Sequence, residues 1–220
     1  NFCMVIGGAH VYFAESVEAV PNNLMEVRPT LLASVPRLFE KIKAKVLDKV
    51  AQDSALKQHV FKWASDVGTE FLDAKQAKAP VNFGLALRHQ AADGLVFSKI
   101  RERTGGRLRI CISGGAPLAA DVGKFFGMLG IEIVEGYGLT ETSPVICINR
   151  PGDVKFGTVG TTIPDVEVKL AEDGELLARG PNIMKGYFNL PEQTAQAIDA
   201  EGWFHTGDIA EVDPDGRVRI

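Results

Sequence analysis

The chain has 220 residues, of which 24 are basic, 28 are acidic and 45% are hydrophobic, so its net charge is −4. This composition is typical of a folded globular protein of one or two domains, and it argues against nucleic acid as a partner and against a membrane-spanning helix. The three cysteines, Cys3, Cys111 and Cys147, have no CxxC spacing, which argues against a disulfide framework or a zinc site and favours a reducing, cytoplasmic location.

The first hundred residues are predicted to be mainly helical after a β-leaning start. Apolar residues recur at helical spacing from Pro36, and the lysines between them form a solvated face. The patterns predict, in chain order, extended structure over 1–20, a turn at Pro21-Asn22-Asn23, a buried strand over 30–35, a helix from Pro36, an amphipathic helix over 60–71, a connection over 79–89 and a helix over 91–103.

The middle of the chain predicts a strand, a helix and a second strand. Alternating apolar residues over 108–113 lead into Ser113-Gly114-Gly115-Ala116-Pro117, and helical spacing follows over 118–129. A second apolar strand over 131–134 leads into Gly136-Tyr137-Gly138. Such a crossover joins parallel strands, so both glycine turns should lie at the carboxyl edge of one sheet, where ligands of α/β proteins bind.

The last third of the chain changes character and predicts a β-rich, barrel-like module. Short alternating segments are separated by turns at Asp173-Gly174 and at Asp213-Pro214-Asp215-Gly216, with a brief helix over 191–198. We therefore expect an α/β subdomain over 1–152 and a smaller β-rich subdomain over 153–220.

The residue types around the second glycine turn are those of a nucleotide site. The Tyr137 ring can stack on a base, the hydroxyls of Thr140 and Thr142 can donate to phosphate oxygens, and the Glu141 carboxylate can hold the magnesium that accompanies a polyphosphate. Taken singly, Tyr137 is more often a core or rim aromatic, and Glu141 is more often a surface charge. Asp208, after Thr206-Gly207, could likewise only close a turn. Two glycine turns at one sheet edge make the nucleotide interpretation stronger.

Four motifs carry a resemblance to a known family. They are Ile112-Ser113-Gly114-Gly115-Ala116-Pro117-Leu118, Glu135-Gly136-Tyr137-Gly138-Leu139-Thr140-Glu141-Thr142-Ser143-Pro144, Gly180-Pro181-Asn182-Ile183-Met184-Lys185-Gly186-Tyr187 and Gly202-Trp203-Phe204-His205-Thr206-Gly207-Asp208. In order and spacing the chain resembles the adenylate-forming superfamily of acyl-CoA synthetases, luciferases and peptide-synthetase adenylation domains. Val35-Pro36-Arg37-Leu38-Phe39-Glu40-Lys41-Ile42 is similar to a segment of long-chain fatty acid CoA ligases.

The resemblance implies roles for individual residues. Adenine would lie between the Tyr137 ring and the 115–117 backbone, and Asp208 would accept hydrogen bonds from both ribose hydroxyls. Thr140 and Glu141 would be the catalytic residues, with Thr140 at the α-phosphate and Glu141 as the magnesium ligand. The nucleotide-binding set would be Gly114, Gly115, Ala116, Pro117, Glu135, Gly136, Tyr137, Gly138, Thr140 and Asp208.

The reaction that the resemblance implies is the ATP-dependent activation of a fatty acid to acyl-AMP, followed by thioester formation with coenzyme A. ATP and Mg²⁺ would be required, and the partners would be small molecules, with contact of the parent enzyme to a membrane surface as a further expectation. The family's phosphate loop and its C-terminal lysine-bearing domain have no match in the 220 residues. We therefore expect an internal fragment of the large N-terminal domain, without ligase turnover on its own.

Other interpretations stay open at this point. The substrate could be a medium-chain, aromatic or amino acid, and the isolated chain could be a nucleotide-binding module without catalysis. A dinucleotide-binding oxidoreductase is disfavoured because no GxGxxG follows a strand. His205, beside two aromatic residues, receives no role, and Cys111 is expected to be a buried thiol.

Overall fold

The computed structural model describes residues 7–220 and has an α/β fold built on a five-stranded sheet. Its strands lie side by side in chain order: β1 (Leu31–Ser34), β2 (Ile110–Ser113), β3 (Glu132–Tyr137), β4 (Cys147–Ile148) and β5 (Thr161–Thr162). Strands β1, β2 and β3 are parallel, whereas β4 and β5 pair antiparallel. The predicted α/β class and the parallel pairing of β2 with β3 are confirmed.

Most of the helices lie in the first half of the chain, and the last two lie in the second half. They are α1 (Val20–Val27), α2 (Pro36–Ala51), α3 (Ala55–Gln76), α4 (Phe83–Ala92), a π-helical turn (Asp93–Phe97), α5 (Ser98–Glu102), α6 (Ala120–Met128) and α7 (Pro191–Ala197). The strand predicted over 30–35 and the helices predicted from Pro36, over 60–71 and over 91–103 are confirmed.

Two predictions in this half are wrong. Pro21-Asn22-Asn23 is the first turn of α1 rather than a separate turn, because proline fits the first helical turn, where its missing N–H costs no hydrogen bond. Part of the predicted connection over 79–89 is α4, whose start is capped by Asn82, since its side chain accepts from the Leu85 amide at 2.8 Å. Of the extended start predicted over 1–20, residues 7–19 contain no strand and residues 1–6, with Cys3, lie outside the described residues.

The main core lies where α2, α3 and α6 pack against the parallel strands. Phe39 on α2 and Phe126 on α6 are fully buried, and their rings meet edge to face with centroids 5.8 Å apart. Ile131, just before β3, and Ile133, within it, are buried in the same cluster. This packing fixes the direction of β2 and β3, and with it the place where their carboxyl ends emerge.

The C-terminal part consists of two small antiparallel sheets. One contains β6 (Glu167–Leu170), β7 (Glu175–Arg179) and β8 (Phe204–Ile209), and the other pairs β9 (Glu211–Val212) with β10 (Val218–Arg219). The hairpin turns predicted at Asp173-Gly174 and over 213–216 are confirmed.

The N-terminal α/β part and the C-terminal β-rich part are joined by backbone pairing. Strand β5 belongs to the first sheet, and next to it Gly160 bridges to Val218 of β10. The division after residue 152 stays a prediction. No helix within the described residues is long and apolar enough to cross a membrane.

Candidate active site

A cavity of about 480 Å³ lies at the carboxyl ends of β2 and β3, between the first sheet and the C-terminal strands. Its wall combines residues from five separate stretches of the chain. They are Gly115, Ala116, Pro117, Leu118, Glu135, Gly136, Tyr137, Gly138, Gly157, Thr158, Val159, Asp208, Arg219 and Ile220. The edge of the parallel sheet where the sequence predicts a ligand is therefore concave.

Tyr137 and Asp208 meet in this cavity although 71 positions separate them in the chain. The Tyr137 hydroxyl donates to Asp208 Oδ2 at 2.6 Å. Burial, together with this contact to a carboxylate, raises the pKa of Tyr137 above its usual range, so the hydroxyl keeps its proton at neutral pH. An aromatic face and a carboxylate thus lie side by side, as an adenine and its ribose would require.

The loop after β2 supplies the facing wall. Gly115 has a φ of +84° with open space where a side chain would lie, so the backbone of this turn can approach a flat ligand closely. Ala116 and Pro117 are exposed in the same wall. Gly114 is not among the lining residues, although it belongs to the same turn and donates its amide to Ser34 O of β1.

Glu135 is a buried acid in the wall of the cavity. Its Oε1 accepts from the Leu118 amide at 3.2 Å, a contact that ties β3 to the loop after β2. Burial raises the pKa of Glu135 to about 7, and the hydrogen bond from Leu118 opposes that rise only in part. Glu135 is therefore poised to exchange a proton near neutral pH.

Thr140 and Glu141 lie on a short 3-10 turn (Thr140–Thr142) just beyond β3, and neither is among the residues that line the cavity. The Tyr187 hydroxyl donates to Glu141 Oε1 at 3.0 Å, and the contact raises the pKa of Tyr187. The Glu141 main-chain oxygen accepts from the Met184 amide at 2.7 Å. The structure thus brings Tyr137 and Asp208 together, whereas Glu141 is outside the cavity lining and is joined to the 184–187 segment.

The prediction that Thr142 reaches a phosphate is wrong. Its side chain is fully buried, and its hydroxyl lies within hydrogen-bonding distance of two main-chain oxygens, that of Pro144 at 2.9 Å and that of Leu139 at 3.0 Å, one of which takes its single proton. The hydroxyl also accepts from the Leu139 amide. Thr142 therefore stabilises the turn, because its hydrogen-bonding capacity is already used by the backbone.

The metal-ligating side chains near the cavity fit magnesium only if a bound ligand supplies further oxygen atoms to the ion. Among residues 7–220, no group of three or more His, Cys, Asp or Glu side chains could hold a metal ion. Magnesium commonly binds one or two carboxylates together with substrate phosphates and water, and the half-exposed Glu141 carboxylate can supply such a contact. The residues present thus fit an ion that arrives with a polyphosphate.

Part of the cavity was missed by the sequence-based prediction. Gly157, Thr158 and Val159 enter the wall because the segment before β5 runs beside β10, and Val159 donates its amide to Val218 O at 2.8 Å. Arg219 on β10 also lines the cavity and donates to Gly157 O at 3.1 Å. No local pattern signals these residues, since their position depends on pairing between distant segments.

Comparison with known proteins decides the family. The family model described as "AMP-binding enzyme" matches residues 1–188. The chain belongs to the AMP-binding enzyme family. The resemblance stated from its motifs is thereby confirmed, and the cavity holds the two glycine turns that carried it.

Individual enzymes resemble the chain either in amino-acid sequence or in three-dimensional structure. The long-chain-fatty-acid–CoA ligase FadD15 of Mycobacterium bovis is 39% identical over 212 residues, which are 96% of this chain and 34% of that protein. The crystal structure of the anthranilate CoA ligase AuaEII with anthranoyl-AMP matches 96% of this chain and 33% of the ligase chain. The TM-score is 0.62 at 20% sequence identity, so this match supports the fold. A malonyl-CoA ligase complex with methylmalonyl-CoA and AMP bound matches 96% of this chain and 37% of its own, with a TM-score of 0.56 and 29% identity. The chain spans about a third of the length of the curated relatives it matches.

Proposed function

We propose that this chain is the nucleotide-binding part of an AMP-forming acyl-CoA ligase that activates a long-chain fatty acid. The observation that carries the proposal is the shared cavity in which the Tyr137 hydroxyl contacts Asp208 at 2.6 Å, opposite the 115–117 turn. The relatives named as long-chain fatty acid CoA ligases, at 31–39% identity, support the choice of substrate class. The division into subdomains 1–152 and 153–220 is part of this proposal.

In the proposed reaction, a carboxylate oxygen of the fatty acid attacks the α-phosphorus of ATP. The bond to the bridging oxygen of pyrophosphate breaks, and acyl-AMP forms. The sulfur of coenzyme A then attacks the acyl carbon, loses its proton to solvent, and releases AMP. Such chemistry depends on positioning and on stabilisation of phosphate charge, so no nucleophilic side chain is needed.

The described residues divide this work between binding and orientation. Tyr137 stacks on adenine against the backbone of Gly115, Ala116 and Pro117, and Asp208 accepts from the ribose hydroxyls, because a carboxylate can take two donors at once. Thr140 donates to the α-phosphate. Glu141 would hold Mg²⁺ together with phosphate oxygens of ATP, and the ion would neutralise phosphate charge.

A cytoplasmic location fits the reduced, buried thiols of Cys111 and Cys147, and contact with a membrane surface would serve a lipid substrate. Burial raises the pKa of both thiols to about 12, so neither is an available nucleophile at neutral pH. Small molecules, rather than nucleic acid, are the proposed partners of this acidic chain.

The proposal is tested by incubating the complete protein with ATP, Mg²⁺, coenzyme A and palmitate, with benzoate as the competing acid. We expect palmitoyl-CoA, AMP and pyrophosphate in equal amounts and little benzoyl-CoA. ADP in place of AMP, or no thioester with any carboxylic acid, would contradict the proposed reaction. Benzoyl-CoA as the main product would contradict only the substrate class.

The proposed metal contact has its own test in Glu141→Gln. The amide keeps the size of the side chain and removes the charge, so the magnesium concentration needed for half-maximal acyl-AMP formation should rise about tenfold, on the scale of one charge-assisted contact. Glu70→Gln is the matched control, since Glu70 is exposed on α3 and pairs with Arg88 at 3.2 Å, away from the cavity. An unchanged magnesium requirement in Glu141→Gln would remove the role of Glu141.

A further inference from the structure

Asp208 lies in an irregular part of β8. The register pairs Leu177 with His205 and Glu175 with Ile209, so only Leu176 stands between these two rungs on β7. On β8 the same interval holds Thr206, Gly207 and Asp208. Because two residues of β8 have no partner on β7, the strand bulges there, and the carboxylate of Asp208 reaches the cavity from this bulge.

The bulge interrupts the main-chain hydrogen bonds between β7 and β8, and the side chains of Glu175 and Thr206 form hydrogen bonds there instead. Glu175 Oε1 accepts from the Gly207 amide at 2.7 Å, where a regular ladder would offer a main-chain oxygen. Thr206 is buried, and its hydroxyl donates to Leu176 O at 2.7 Å while accepting from the Asp208 amide at 3.1 Å. The amides of Gly207 and of Asp208 are therefore both held by side chains.

The second oxygen of Glu175 is held by His205. His205 Nδ1 lies 2.8 Å from Glu175 Oε2, and since a carboxylate only accepts, the ring nitrogen carries the proton and donates. The Glu175 side chain is only 16% exposed, whereas that of His205 is 37% exposed. One carboxylate thus joins two groups of β8, one residue and three residues before Asp208.

We propose that Glu175, oriented by His205, is a positioning residue for Asp208 and sets the affinity for the ribose hydroxyls of the nucleotide. The inference rests on the proposed function, in which Asp208 is the ribose acceptor. Glu175 itself has no contact with the nucleotide in this account. It acts through the bulge, because displacing Gly207 moves the residue that follows it.

The test is calorimetric titration of the complete protein with AMP and with dideoxy-AMP, which lacks both ribose hydroxyls. In Glu175→Ala we expect AMP affinity to fall about tenfold, on the scale of a hydrogen bond to a charged group, with dideoxy-AMP affinity changed by less than about twofold. Glu175→Gln keeps an oxygen for the Gly207 amide and should bind AMP within about threefold of the unaltered protein.

A matched control exists on the same sheet. Glu167 of β6 contacts Arg179 of β7 at 2.6 Å, and this exposed pair lies away from the bulge. Glu167→Ala should leave both affinities unchanged. If Glu175→Ala fails to fold, His205→Ala takes its place, and we expect about a threefold loss of AMP affinity with that for dideoxy-AMP unchanged.

The outcomes separate the inference from the function on which it rests. No AMP binding by the unaltered protein would overturn the proposed function and the inference together. AMP binding that is the same in the unaltered protein and in Glu175→Ala, or in its substitute His205→Ala, would overturn the inference alone. Equal losses for AMP and dideoxy-AMP would also overturn it, because they would report general damage rather than the ribose contact.

Discussion

The two sides of the cavity are built in different ways. On the side of the parallel sheet, Tyr137 ends a strand whose start and middle are buried, with Ile133 1% exposed. On the opposite side, Asp208 lies in a bulge whose backbone is held by the side chains of Glu175 and Thr206. Hydrophobic packing therefore positions the first residue, and polar side-chain contacts position the second.

This difference separates what a substitution on each side should do. Damage to the packing under β3 should lower the stability of the whole chain, because one core cluster joins α2, α3, α6 and the strands. Damage around the bulge should change ligand affinity with less effect on stability, since few apolar contacts are lost.

The largest effect is expected from Phe126→Ala on α6. Phe126 is 1% exposed and meets the rings of Phe39 and Phe125, so its loss should leave a cavity and lower the free energy of unfolding by about 3 to 5 kcal/mol. Urea denaturation provides the measurement. Phe188→Ala is the control, because Phe188 is 90% exposed, and a loss as large as that of Phe126→Ala would contradict the assignment of the core.

The buried acid Glu135 makes a pH-dependent contribution on the same side. Burial raises its pKa from 4.5 to about 7, so between these pH values the folded chain holds a proton that the unfolded chain has released. The free energy of unfolding should therefore fall as pH rises through this window, by up to about 3 kcal/mol, and then level off. In Glu135→Gln this part of the pH dependence should be absent.

Urea denaturation of both proteins at several pH values between about 4 and 8 measures this contribution, since other titrating groups cancel in the difference. In Glu135→Gln the amide oxygen of the new side chain can still accept from the Leu118 amide, so the hydrogen bond itself is not the variable. Parallel pH profiles of the two proteins would contradict a raised pKa for Glu135.

Much of the packed side could be predicted from the sequence because its signals are local. The alternation over 108–113 and the helical spacing over 118–129 correctly predict β2 and α6, and with them the parallel neighbour β3. Helix α4 was missed because its apolar residues do not share one buried face: Phe83 and Leu87 are 84% and 57% exposed, whereas Leu85 is 3% exposed.

The polar side could be predicted only in part. A family motif predicts Asp208 as a site residue, but neither the bulge nor the proposed role of Glu175 has a local signal, since both depend on the register between β7 and β8. The walls supplied by 157–159 and by Arg219 depend likewise on pairing across the chain. The periodicity of apolar residues in a sequence does not show which distant strands pair with one another.

Asp208→Ala should break the polar side directly. Loss of the carboxylate removes the proposed acceptor for the ribose hydroxyls and leaves the Tyr137 hydroxyl without its partner, so AMP affinity should fall at least about tenfold. Stability should change much less than in Phe126→Ala. Asp66→Ala is the control, because Asp66 is exposed on α3 and pairs with Lys62 on the same helix. Unaltered AMP affinity in Asp208→Ala would contradict the proposed contact between Asp208 and the ribose hydroxyls.

Tyr137→Phe should have the smallest effect and refine the comparison. The ring that would stack on adenine remains, and only the hydroxyl that contacts Asp208 Oδ2 is lost. We expect AMP affinity to fall about threefold, because Asp208 loses one of the contacts that hold its side chain. Calorimetric titration measures the change. A loss as large as that of Asp208→Ala would mean that the hydroxyl, rather than the ring, dominates binding by Tyr137.

The most direct test of the account is a crystal structure of the complete protein with AMP bound. We predict adenine against the Tyr137 ring and the 115–117 backbone, with the ribose hydroxyls within hydrogen-bonding distance of the Asp208 carboxylate. AMP bound elsewhere, or bound here with its ribose turned away from Asp208, would contradict it.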